Sequence, residues 1–138
     1  MIVRIDQLRS RLAWFAVAGP LAPVLDLREY RVLVRSLPEM IHKMGLAATL
    51  RTLGADDRRA ATEVLQHLGR YFADDSCPIQ LARPSQNAPL AARLEATESA
   101  FAWWQAEHEA DAFLVWLGDI AEAREMTLAV GPGRQEAI

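Results

Sequence analysis

The chain has 138 residues, of which 51% are hydrophobic and 24% are charged. This composition is typical of one globular domain and excludes both a disordered tail and a chain too short to bury a core. The net charge of −3 argues against a general nucleic-acid binder, and the single cysteine, Cys77, excludes an internal disulfide and favours a reducing, cytoplasmic location.

Charge is distributed unevenly along the chain. Residues 1–70 hold 11 Lys/Arg and 7 Asp/Glu, whereas residues 71–138 hold 4 Lys/Arg and 11 Asp/Glu. We therefore expect the two halves to face different partners, or the acidic half to form a solvated surface.

The N-terminal segment carries arginines before the uncharged run LAWFAVAGPLAPVL, an arrangement that secretion signals share. Asp6 interrupts the basic region, and the run before Gly19 is short, so a helix from about Ile2 to Ala18 is the better interpretation. No stretch approaches the ~20 apolar residues that span a bilayer, and no membrane partner is expected. The apolar residues that recur at helical spacing here are Ile5, Leu8, Leu12 and Phe15.

A second helical region is predicted from about Leu25 or Asp26 to about Leu53, closed by Gly54. Pro38 should bend or restart this helix, and beyond Gly45 the apolar phase inverts, which predicts a turn there or a different neighbour. On a helical wheel, one sector holds Tyr30, Leu33, Val34, Leu37, Met40, Ile41 and Met44, and the opposite sector holds Arg28, Arg31, Arg35, Glu39, His42 and Lys43.

The second half of the chain also shows only helical periodicity. A third helix is predicted from about Asp56, with an apolar face formed by Ala61, Val64, Leu65, Leu68, Tyr71 and Phe72. Residues 74–89 are predicted to form a mobile loop and residues 129–138 a frayed tail. Between them the apolar stripe contains Leu94, Thr97, Phe101, Trp104, His108 and Val115. The sequence thus predicts an all-α fold, a compact bundle of five or six helices in one domain, 1–138.

No catalytic, metal or cofactor motif stands out. Arg35 and His42 have the spacing of the arginine and histidine in HEPN-type helical ribonucleases, which leaves a nuclease as an alternative. Glu39 and His42 have the spacing of half a di-iron site, but a second such pair is missing. Further expectations are that Glu63 and His67 form a solvated pair, that His108 is partly buried against a neighbouring acid, and that Trp103 and Trp104 face different sides.

Three segments of the chain resemble the small subunit of type III-B CRISPR effector complexes, the helical Cmr small subunit. They are RSRLAWFAV, YRVLVRSLPEMIHKMGLAATLRTL and EADAFLVWLGDIAEA, in the order and spacing of that family. The resemblance implies a non-enzymatic protein without cofactors, present in several copies that stack in an inner filament. It further implies that the large and backbone subunits are partners, and that the filament lines the groove holding guide RNA paired with target RNA.

The sequence differs from the family pattern at three positions. Met44 replaces an asparagine that often precedes the glycine-leucine pair, and Gly118 and Asp119 replace a lysine-arginine pair. The RNA role implied by the resemblance is therefore assigned only to the second and third helices. The candidates are Arg28, Arg31, Arg35 and Lys43, followed by Arg51, Arg58, Arg59 and Arg70. Besides the nuclease, a helical protein-interaction adaptor with a solvated basic face remains an alternative.

Overall fold

The computed structural model describes residues 5–19, 24 and 26–129, and this part of the chain contains six helices and no strand. The helices are α1 (Ile5–Ala18), α2 (Leu27–Met44), α3 (Leu46–Gly54), α4 (Arg59–Ala73), α5 (Leu90–Ala96) and α6 (Ala100–Ala129). The prediction of an all-α bundle of five or six helices is confirmed. The predicted start of the first helix at Ile2, and the predicted tail beyond Ala129, lie outside the described residues.

Helix α2 forms because its sequence supplies both a cap and an apolar face. The side chain of Asp26 accepts a hydrogen bond from Glu29 N at 3.0 Å, which satisfies one backbone N–H group of the first turn. The helix continues through Pro38 without the predicted restart. The chain turns instead at Gly45, whose φ of 86° lies in the left-handed region that glycine adopts without strain. Met44, predicted to be in the core sector, is exposed.

A polar interruption separates α5 from α6, where the sequence pattern had suggested one continuous stripe. Thr97 Oγ1 donates to Arg93 O at 2.7 Å and accepts from Ala82 N at 2.9 Å, which ends α5. Ser99 Oγ then accepts from Ala102 N at 3.1 Å and caps the start of α6.

The predicted stripe of α6 was wrong about which side faces the core. Phe101, Trp104, His108 and Val115 are exposed. Phe15, on the predicted face of α1, is also exposed. Both helices carry apolar residues around much of their circumference, so periodicity alone did not decide which side is buried. The buried residues of α6 are Ala106, Glu109, Ala110, Phe113, Leu114, Leu117, Gly118 and Ala121.

Helix α6 packs against α1 and α2, and α4 packs against α1, α2 and α3, so that the core lies between these helices. Tyr71 of α4 stacks on Phe113 of α6, with ring centroids 4.1 Å apart. Trp103 is half-buried and its indole N–H donates to Thr97 O at 2.7 Å, whereas Trp104 is 54% exposed. The prediction that the two tryptophans face different sides is confirmed.

A buried charge connects α1, α4 and α6. Glu109 is only 7% exposed, and its two carboxylate oxygens accept hydrogen bonds from Arg9 Nε and Nη2, both at 2.7 Å. The hydroxyl of Tyr71 donates to the same carboxylate. Burial favours the neutral acid, but these hydrogen bonds hold the pKa of Glu109 below its ordinary value. The carboxylate is therefore charged, and both of its oxygens accept hydrogen bonds.

Residues 74–89 contain no helix, and buried contacts attach this segment to the bundle. Arg93, 5% exposed, donates to the backbone oxygens of Phe72, Leu81 and Ala82 at 3.2 to 3.3 Å. Cys77 is buried, and this burial raises the pKa of its thiol, as expected for a structural cysteine. The mobility of the segment stays a prediction.

His67 is buried, in contrast to the solvated pair expected from its spacing with Glu63. Its Nδ1 lies 2.7 Å from the hydroxyl of Tyr30 on α2. Burial, with a smaller contribution from the charge of Arg70, lowers the pKa of His67 to about 4. The ring is therefore neutral at physiological pH, and its Nδ1 shares a hydrogen bond with the tyrosine hydroxyl.

We predict that Glu109→Gln lowers the free energy of unfolding by about 2–4 kcal/mol, because the half-buried guanidinium of Arg9 then lacks its counter-charge and the buried hydrogen bonds of the carboxylate are weakened. Urea unfolding followed by circular dichroism measures this change. Glu122→Gln is the matched control on the same helix, where the carboxylate is 55% exposed, and its effect should stay below about 1 kcal/mol. Equal losses in the two variants would contradict the structural role of Glu109.

Stability should fall between about pH 6.5 and pH 4 because His67 binds a proton more readily in the unfolded chain than in the folded one. The stabilisation from neutral His67 is complete above its unfolded pKa and decreases as pH falls towards about 4. At about pH 4.5 the loss relative to pH 7 should reach about 2–3 kcal/mol. Urea unfolding at these pH values should show a smaller decrease for His67→Gln, while His108→Gln, at an exposed histidine, should retain the wild-type decrease.

Candidate nucleic-acid interface

The outer face of α2 carries the four principal candidates for RNA contact. Arg28, Arg35 and Lys43 are exposed and Arg31 is half-buried, whereas the opposite side of the helix faces the core. Residues three, four or seven positions apart lie on the same side of an α-helix, so the helical wheel grouped these cations correctly.

Acidic residues of α6 approach this face along its length. Arg31 Nε lies 2.7 Å from Glu125 Oε2, and Arg35 Nη2 lies 2.8 Å from Asp119 Oδ1 and 3.0 Å from Glu122 Oε2. The hydrogen bonds to these carboxylates raise the pKa of both arginines. Two of the four candidate cations therefore already have counter-charges on α6.

Gly118 explains how Arg35 reaches α6 so closely. A Cβ atom at this glycine would lie 3.0 Å from Cζ, Nε and Nη1 of Arg35. The bare backbone thus leaves room for the guanidinium, and the next residue, Asp119, accepts its hydrogen bond. Gly118 and Asp119 are the two positions at which the family pattern named above has a lysine-arginine pair. In this chain, both positions help to hold Arg35.

The ion pairs near the C-terminal end of the α2 face are weaker. Lys43 Nζ lies 3.0 Å from Glu39 Oε1 one helical turn away, and both side chains are at least 70% exposed. His42 is exposed, with Nε2 3.9 Å from Asp111 Oδ2. Exposed pairs of this kind stabilise a protein by about 0.5 kcal/mol or less, so these side chains can exchange partners readily.

The four secondary candidates lie elsewhere. Arg58 is bound to Asp56 at 2.6 Å, and Arg59 is exposed at the start of α4. Arg51 and Arg70 line an apolar groove of about 620 Å³ between α3, α4 and α5, and Arg51 lies 3.6 Å from Glu95. The eight candidates thus form the α2 face and separate groups rather than one continuous surface.

Sequence reasoning missed the buried charges of Glu109 and Arg93 and the half-buried charge of Arg9. The available signal was a charged residue inside an apolar helical stripe, such as Glu109 between Ala106 and Phe113. Such a position predicts a buried pair, but the partner is 100 residues distant and no local pattern identifies it.

Within the part of the chain that the structure describes, no group of three or more His, Cys, Asp or Glu side chains is arranged to hold a metal ion. The same part contains no helix with the length and hydrophobicity needed to cross a membrane.

Residues 6–124, which extend from α1 into the last turns of α6, match the family model described as CRISPR-associated protein (Cas_Cmr5). No curated protein and no solved structure matches the chain. The all-helical fold and the match over most of the chain define a CRISPR-associated subunit. The chain belongs to the Cmr5 family, the small subunit of type III-B CRISPR complexes, and family membership implies association with other subunits of such a complex.

Proposed function

We propose that the chain is a non-catalytic subunit that lines the groove for guide RNA paired with target RNA in cytoplasmic antiviral defence. In this proposal it stacks in the inner filament with further copies of itself, beside the large and backbone subunits. The observation that carries the RNA role is the single outward face of α2, which presents Arg28, Arg31, Arg35 and Lys43.

The dimensions of this face suit a nucleic-acid backbone. From Arg28 to Lys43 the helix rises about 22 Å, which allows contact with several successive phosphates. Each cation that neutralises a phosphate releases a counterion, and this gives affinity without sequence preference. The contacts with α6 also hold Arg31 and Arg35 in position, and each guanidinium has five N–H donors, enough to bind a carboxylate and a phosphate together.

The arrangement of Arg35 and His42 supports a role without catalysis. Seven residues along one helix separate the two backbone positions by a rise of about 10 Å. Their side chains also turn to different acids, Asp119 and Asp111.

Replacing Arg28, Arg31, Arg35 and Lys43 together by alanine is expected to lower the affinity of the assembled complex for target RNA. The slope of log affinity against log salt should become shallower by ~0.7 to 0.9 for each lost phosphate contact. Fluorescence anisotropy of labelled RNA over a salt series measures both quantities, and the isolated chain should bind the same RNA weakly or not at all.

Two further variants test how the charge of α6 affects RNA binding. Asp119→Asn combined with Glu122→Gln removes two negative charges that would repel phosphates beside Arg35, and should tighten RNA binding by the complex. Arg83→Ala, at an exposed arginine in the irregular segment, is the matched control and should change nothing. Unchanged binding in all variants would contradict the assignment of this face and favour the protein-interaction adaptor.

The purified chain is expected to leave single-stranded RNA intact, and His42→Ala should behave identically, because Arg35 and His42 are directed at different acids, Asp119 and Asp111. Gel electrophoresis of the RNA after incubation provides the measurement. Cleavage by the wild-type chain that disappears in His42→Ala would establish the ribonuclease alternative.

A further inference from the structure

Three rings form an exposed ladder on the outer side of α6, consisting of Phe101, Trp104 and His108, and called here the aromatic ladder. The rings of Phe101 and Trp104 are stacked with centroids 5.8 Å apart, and those of Trp104 and His108 are 4.2 Å apart. Phe101 is 64% exposed and Trp104 is 54% exposed. Soluble proteins seldom leave neighbouring large aromatic rings in water, so such a patch indicates a contact surface.

A small acidic pocket adjoins the aromatic ladder between α2 and α6. It is lined by Ile41, His42, Glu107, His108 and Asp111 and has a volume of about 120 Å³. Asp111 Oδ1 is buried, and no hydrogen-bond donor reaches it from the described residues. The side chain of Asp111 as a whole is 36% exposed, so a donor that enters the pocket can reach its carboxylate group.

The size of the acidic pocket limits what can enter it. A volume of about 120 Å³ corresponds to roughly four water molecules at ~30 Å³ each. Pockets for cofactors and drug-sized ligands are about 300–1,000 Å³. The pocket therefore fits the tip of one side chain rather than a nucleobase or a cofactor.

The charge and shape of the surroundings select the type of side chain. Glu107 and Asp111 would repel a phosphate, and the described residues hold no cluster suited to a metal. A guanidinium is planar, donates in parallel to a carboxylate and stacks on aromatic faces, whereas a lysine ammonium has no planar surface. An arginine side chain thus suits both the partly exposed carboxylate of Asp111 and the exposed ring of Trp104.

We propose that the aromatic ladder and the acidic pocket together form a docking site for an arginine side chain on the surface of a protein partner. The partner surface around that arginine is basic, because two acids, Glu107 and Asp111, line the pocket that receives it. The proposal is independent of RNA binding by the outer face of α2.

The test is a titration of the ¹⁵N-labelled full chain with three blocked peptides, observed by NMR. The peptides are identical except for one central residue, which is arginine, lysine or citrulline, the last replacing the charged guanidinium by a neutral urea. The arginine peptide should saturably shift the indole N–H of Trp104 and the backbone amide of Asp111. The lysine peptide should bind about tenfold more weakly and the citrulline peptide should produce no saturable shift.

Variants of the docking site provide the second readout. Asp111→Asn and Trp104→Ala should each weaken binding of the arginine peptide by about tenfold. Asp75→Asn and Trp14→Ala, which change an exposed aspartate and an exposed tryptophan elsewhere, are the matched controls and should bind like the wild type. Equal responses to the arginine and citrulline peptides, or full affinity in both site variants, would overturn the proposal. So would a single-stranded oligonucleotide that shifts the same resonances in preference to the peptide.

Discussion

The carboxylate of Glu109 joins three helices that are distant in the sequence. Arg9 of α1 and Tyr71 of α4 both donate hydrogen bonds to it, although they lie 100 and 38 residues away. A charge in this position is tolerated only where its donors are complete, since an unpaired buried charge costs several kcal/mol. Helices α1 and α4 must therefore pack on α6 so that both donors reach Glu109. The same requirement fixes the rotation of α6 about its own axis.

That rotation determines the surface chemistry of the molecule. With Glu109 and Phe113 inside, Asp119, Glu122 and Glu125 border α2, and the aromatic ladder points outward. Part of the acidic half of the sequence thus serves as counter-charge for the basic face of α2 rather than as a solvated surface. The net charge of −3 conceals this arrangement, because ion pairs within the chain do not alter the total. The same rotation leaves two distinct surfaces, a cationic one for the proposed RNA contact and an acidic, aromatic one for the proposed arginine.

Prediction from sequence succeeded where one side of a helix is clearly apolar. The core faces of α2 and α4 were correct apart from Met44 and the half-buried Met40 and Leu65, because their apolar residues recur every three or four positions. Prediction failed for α6, because apolar residues surround this helix. The packing of the neighbouring helices decides which of these residues are buried. Prediction also missed the break at Thr97, because the hydrogen bond from Ala82 N that helps to form it comes from a segment 15 residues away.

The sequence by itself determined the helical class, the core faces of α2 and α4 and the grouping of four cations on α2. These features depend on local backbone preference and on the 3.6-residue period, which neighbouring residues encode. Only the tertiary structure decided that Arg9 pairs with Glu109, that Gly118 and Asp119 receive Arg35, and that Asp111 is left with an unsatisfied oxygen. Each of these depends on the relative position of two helices, and such positions result from the packing of the whole core rather than from any one segment.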